Sequence, residues 1–167
     1  MNGSEVAQLV LRAVVGSTMI AHGVHHARTL SGTAGWFESI GFRRPREQAM
    51  ASAVVEVGSG GALLLGAATP LAASAVVGTM AVAARAVHAE NGFFITSEGY
   101  EYVVMVSAAS LALGALGSGP VSVDRLLGVP DRMTGSTRAV LVLALGLGAA
   151  ASQLAAFWRR PGPREAE

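Results

Sequence analysis

Five long apolar stretches dominate this chain and place it in a membrane. They run Val6–Val24, Ala49–Ala68, Leu71–Glu90, Gly99–Gly117 and Arg138–Trp158. Each has about 20 residues, enough for a helix rising about 1.5 Å per residue to cross a hydrocarbon core of about 30 Å. The first four carry Arg12, Glu56, Arg85 and Glu101. Ionisable groups inside a bilayer are costly, so they mark a polar interior or a functional pathway.

Composition agrees. Hydrophobic residues make up 51% of the chain and charged residues 14%, with a mean hydropathy of +0.49. A soluble domain needs a larger polar shell. All twelve basic residues are Arg, and Gly is abundant at 21, as in proteins of high-GC bacteria. The chain has no Cys, so it supplies no thiol, no iron–sulfur ligand and no c-type haem attachment. Met1–Glu5 lacks a basic leader region, so no cleavable signal peptide is expected.

Loop order fixes which ends share a membrane face. The first-to-second and third-to-fourth connections lie on one face. The N-terminus, the tight turn at Thr69-Pro70 and the fourth-to-fifth loop lie on the other. Asn91-Gly92 is the stop expected after the third span. Seven arginines fall on the first face (Arg28, Arg43, Arg44, Arg46, Arg159, Arg160, Arg164) and three on the second (Arg125, Arg132, Arg138). The positive-inside rule then puts the first face in the cytoplasm, with the N-terminus out and the C-terminus in. The expected location is the bacterial inner membrane, with lipids as the first partner and no nucleic-acid partner.

Helical spacing groups the polar residues. Arg12, Gly16, Met19, Gly23 and His26 form one stripe, with His22 beside it. Arg85, His88 and Asn91 share a face of span three, and Glu98 and Glu101 share one on span four. His22, Glu56, Arg85, His88, Asn91 and Glu101 all belong to one half of the membrane. They are the candidates for ligand binding or proton handling. Glu56 and Arg85 lie at matching depths, which predicts an ion pair between them. At the opposite end, Arg12 and Asp124 are candidates for a structural ion pair. Trp36, Phe37, Ile40 and Phe42 form one side of a short amphipathic helix, read as an interfacial anchor or as a lid over a lateral entrance. Gly58–Gly61, Gly114–Ser118 and Ala144–Gly148 are expected packing seams.

No hydrolase, ATPase or zinc-protease motif occurs. His22 and His88 alone are a poor haem signal, and His25 and His26 point apart on a helix, so neither haem nor a metal site is expected. A quinone headgroup fits better, since its carbonyl needs a partner near the interface.

The order of several pieces resembles the DoxX family of bacterial membrane proteins. They are LRAVVGSTMIAHGVHH, GTAGWFESIGF, VVEVGSGGALLLGAATPLAA, MAVAARAVHAENGFF, EYV at Glu101–Val103 and GSGPVSVD at Gly117–Asp124. Together they span about residues 9–124. The resemblance implies a four-helix membrane bundle. Members have been linked to thiosulfate:quinone oxidoreduction and to membrane oxidoreductase complexes with superoxide dismutase and sulfurtransferase partners. This chain departs by adding Arg138–Trp158, and by carrying His25-His26 where many relatives have a Lys.

The expected fold is an all-α membrane protein: a four-helix transmembrane bundle plus an additional C-terminal transmembrane helix. Residues 6–124 form the bundle domain, with an interfacial segment at 25–48. A loop at 125–137, a fifth helix at 138–158 and a polar tail at 159–167 follow. The expected function is that of a membrane subunit of a quinone-linked redox assembly, binding a quinone or other lipophilic ligand in a polar intramembrane pocket and without a catalytic centre of its own, partnered by redox enzymes or other membrane subunits. The alternative is a non-catalytic scaffold or lipid-interacting protein with a structural polar core. A small transporter is a third reading, against which no inverted repeat is visible.

Overall fold

The structure is a computed structural model, and it describes residues 1–129 and 132–162. Arg164 and the end of the polar tail lie outside the described residues. Seven α-helices occur among them: α1 (Gly3–Arg28), α2 (Leu30–Ser39), α3 (Pro45–Leu65), α4 (Thr69–Ala83), α5 (Glu101–Leu116), α6 (Val123–Leu126) and α7 (Gly135–Phe157). A π-helical turn, Ala84–His88, continues α4.

Local chemistry sets the ends. Asn2 and Glu5 form a reciprocal cap on α1, with Asn2 accepting from the Glu5 amide at 3.0 Å and donating its own to the Glu5 carboxylate at 2.8 Å. Pro45 starts α3, and Gly66 ends it in a left-handed conformation. Thr134 caps α7 by accepting from the Thr137 amide.

Four helices are long and apolar enough to cross a membrane: α1, α3, α4 with its π turn, and α7. The fourth expected span is shorter than its sequence suggested. Its regular part, α5, has 16 residues, about 24 Å at 1.5 Å per residue. Gly99 and Tyr100 stand outside it, after a short 3₁₀ turn, Ile95–Ser97, and a left-handed Glu98. The fold is thus an all-α membrane bundle with an added C-terminal helix. Helix α7 packs on α4 and α5. Its outer residues Val140, Leu145 and Leu147 are exposed, and in a bilayer they contact lipid.

Two features lock the ends. At one end the chain after α7 returns to the α2–α3 loop. Phe42 and Trp158 form an antiparallel bridge, with the Arg43 amide donating to Phe157 at 2.7 Å and the Arg159 amide to Gly41 at 3.0 Å. The Trp158 indole donates to the Ile40 carbonyl at 2.8 Å. Gly41 is required there: its φ is +94°, and an added Cβ would lie 1.9 Å from the Arg159 carbonyl oxygen. The α4–α5 connection joins the same end, since Glu90 pairs with Arg160 at 2.7 Å.

At the other end Arg12, 3% exposed, serves as a hub. Its guanidinium donates to Leu63 (2.8 Å), Leu64 (2.7 Å), Ser118 (3.2 Å) and Val121 (2.6 Å) carbonyls. The first two are carbonyls of the last turn of α3, of which that of Leu63 also accepts the Gly66 amide at 3.1 Å. Asp124 is not its direct ion partner. That carboxylate accepts the Ala68 amide at 3.0 and 2.9 Å and the Ser118 hydroxyl. A guanidinium has five donors in a fixed fork, so a ring of carbonyls satisfies it without a carboxylate. Ser118 touches both residues, so the tie between Arg12 and Asp124 is indirect.

Candidate functional site

Helices α1 and α3 approach backbone to backbone along the glycine stripe. An added Cβ at Gly16 would lie 2.8 Å from the Gly60 carbonyl oxygen, and one at Gly60 would lie 2.6 Å from that of Gly16. Such close contact is how helices associate where lipid removes the hydrophobic drive. Further along, the same seam delivers His26 onto α3. Its Nδ1 lies 3.3 Å from the Ser52 hydroxyl and 3.2 Å from Glu56 Oε2. Ser52 sits one turn before Glu56 and donates to its Oε1 at 2.7 Å. Glu56 is 4% exposed. Its Oε2 is close to the imidazole but lacks an aligned hydrogen bond, so the carboxylate is half satisfied.

This triad opens on a cavity of about 470 Å³ between α1, α2, α3, α4, α5 and α7. Trp36, Phe37, Ile40 and Phe42 wall it, with Phe157 from α7. Phe37 and Phe42 are themselves buried, packed with Ala49, Val82 and Ala150. The aromatic segment is therefore part of the cavity wall. Its polar side has His22, His26, Ser52, Glu56, His88 and Tyr102. Tyr102 on α5 meets His22 on α1, hydroxyl to Nε2 at 3.4 Å. His88 is held from behind, its Nδ1 2.6 Å from the Glu98 carbonyl oxygen. That carbonyl is presented by a residue at φ +59°, an uncommon conformation for a non-glycine.

The candidates from sequence divide into two groups. His22, Glu56 and His88 line the cavity; Arg85, Asn91 and Glu101 do not. The expected Glu56–Arg85 pair is absent. Glu56 is paired with His26, and the Arg85 guanidinium lies over the Trp158 ring, 4.6 Å from its centroid. Arg85 lies seven residues after Gly78, on the face of α4 that packs against α7, and so meets the end of that helix and not Glu56. Arg85 and His88 would share a face of an α-helix, but i→i+5 bonding breaks that register. Asn91 donates to the Val87 and Glu98 carbonyls at 3.2 and 3.4 Å, and Glu101 accepts the Ile95 amide at 3.0 Å. Both brace the α4–α5 connection.

His26, Ser52 and Tyr102 were missed as site residues. The signal for His26 was present, since it ends the Arg12–Gly23 stripe that faces α3. Ser52 was legible as the residue four before Glu56. Among the described residues, no three His, Asp or Glu side chains are grouped to hold a metal ion.

The DoxX family model matches residues 7–89, from the first turns of α1 to the end of the π turn. The chain belongs to the DoxX family. The matched segment holds Arg12, His22, His26, Ser52, Glu56 and His88, and so most of the polar side of the cavity. The pieces EYV and GSGPVSVD, and α7, lie beyond it. No curated protein and no solved structure matches the chain. DoxX membership and the apolar helices together make this a multi-pass membrane protein.

Proposed function

We propose that this DoxX protein binds a lipophilic molecule with a polar headgroup, of the quinone–quinol class, as a membrane subunit of a redox assembly. The observation that carries this reading is the half-satisfied Glu56–His26 pair, buried at the wall of a largely apolar cavity. A pocket with mostly apolar walls and a few convergent polar groups is the usual form of a small-molecule site. The headgroup would rest against His26 and His88, and the apolar tail against Trp36, Ile40 and the lipid. A proton taken by His26 would leave an imidazolium beside the Glu56 carboxylate, a buried pair of zero net charge. The residues act by binding and by moving protons, while redox partners exchange electrons with the ligand. Arg85, Asn91 and Glu101 support the site by holding its rim.

Binding is the test. A short-chain quinone, or its reduced form, should bind the detergent-solubilised protein by calorimetry. His88→Phe and His22→Phe should each weaken that binding about tenfold, the value of one good hydrogen bond, with little change in melting temperature. Undiminished binding in both folded variants would favour the scaffold reading, in which the same polar residues only hold the bundle together.

The proposed setting is a bacterial inner membrane with the cavity end in the cytoplasm. Arg28, Arg43, Arg44, Arg46, Arg159 and Arg160 lie toward that end, against Arg125, Arg132 and Arg138 at the other. Reporter fusions at Arg44 and Glu167 should both read cytoplasmic. A periplasmic signal from both would reverse the orientation.

A further inference from the structure

We infer that the cavity selects a hydroxyl-bearing headgroup, a hydroquinone in preference to the quinone; the inference rests on the ligand-binding reading above. It follows from counting hydrogens.

A carboxylate accepts and cannot donate, so the Ser52 hydroxyl hydrogen is committed to Glu56 Oε1 at 2.7 Å. Ser52 Oγ can then only accept from His26 Nδ1, 3.3 Å away. That places a hydrogen on Nδ1. The alternative tautomer would also turn a bare nitrogen lone pair toward Glu56 Oε2 at 3.2 Å. In the neutral imidazole, the nitrogen left for an occupant is Nε2, which carries a lone pair.

His88 reaches the same state independently. Its Nδ1 lies 2.6 Å from the Glu98 carbonyl oxygen, which has no hydrogen to give. Nδ1 therefore donates, and Nε2 again carries the lone pair. The backbone fixes this tautomer, because Glu98 is held left-handed and Asn91 donates to the same carbonyl at 3.4 Å.

Both histidines line the cavity, and both offer it an acceptor. Two donors on the same wall are already engaged. Tyr102 meets His22, and the Gln153 amide donates to Gln48 Oε1 at 2.8 Å. A quinone brings only carbonyl oxygens, so lone pairs would face lone pairs in a site of low dielectric. A hydroquinone brings two O–H donors on the same ring and tail. Reversing either histidine tautomer to suit a quinone would break the bond to Ser52 or to Glu98.

The test compares three ligands of one shape on the full chain in detergent: an alkyl-1,4-hydroquinone kept reduced, its dimethyl ether and the corresponding alkylquinone. Calorimetry at pH 8 is the measurement. The hydroquinone should bind at least about tenfold tighter than either of the others, one net hydrogen bond or more. His26→Phe and His88→Phe should each shrink that ratio. Equal binding of all three ligands would overturn the donor preference and leave the cavity reading standing. A preference unchanged in both variants would overturn its assignment to these nitrogens. Binding by none of the three would remove the cavity reading itself.

Discussion

Replacing Arg12 with alanine is expected to cost about 3–5 kcal/mol of bundle stability, as does removing one member of other buried charged networks. The reason is the number of partners left behind. Three carbonyls, from Leu64, Ser118 and Val121, lose their donor at once, and that of Leu63 keeps only the Gly66 amide. Each unsatisfied buried carbonyl costs about 1–3 kcal/mol, and partial relaxation or water entry keeps the total below the sum. Arg12→Lys should recover only part of the loss, because an ammonium has three donors on one atom and cannot span the same fork. Thermal unfolding in mild detergent is the measurement. A midpoint for Arg12→Ala within a degree of wild type would mean that the hub is dispensable. Ligand binding at the far end should survive in whatever fraction stays folded, which separates this structural role from that of the cavity.

Gly60→Val should lower both stability and binding. Its Cβ would lie 2.6 Å from the Gly16 carbonyl oxygen and 3.0 Å from the Ile20 amide nitrogen. Both obstacles are helix backbone, which cannot swing aside as a side chain can. The helices must separate, at a cost on the order of 3 kcal/mol, the upper part of the range for overpacked cores. The same displacement carries His26 away from Ser52 and Glu56, so the polar side of the cavity is lost with the seam. Gly58→Val is the control: an added Cβ there meets nothing within 4 Å. It changes the same residue type on the same helix and should be nearly neutral. Similar melting and binding in the two variants would show that the Gly16–Gly60 contact does not set the helix spacing.

Much of the candidate site was legible. His22, Glu56 and His88 were found from depth and helical period, and all three reach the cavity. Arg85 was not placed correctly. Depth matching gives a height along the bundle normal, while a contact also requires the right azimuth. Arg85 continues the Gly78 face of α4 toward α7, while His88, at the end of the π turn, reaches the cavity, and nothing in the residues of that segment announces an i→i+5 turn. The aromatic segment 36–42 shows the same limit. Its amphipathic pattern predicts a buried face, but the pattern is identical whether that face meets lipid or a cavity.

The sequence by itself determined the environment, four of the five helical spans and the order in which the connections alternate between faces. Each follows from one-dimensional quantities: apolar length against bilayer thickness, and the alternation of direction at every turn. The seam of α1 on α3 was also visible, as a stripe of small residues at helical spacing. Only the tertiary structure decided who pairs with whom. Glu56 met His26 because glycine contacts bring α1 within reach of α3. Arg12 met carbonyls because the end of α3 presents them beside it. Arg85 met Trp158 because the chain beyond α7 folds back onto the α2–α3 loop. Such choices depend on rotation about helix axes and on a few tenths of a nanometre of separation, and hydrophobic period and span length are blind to both.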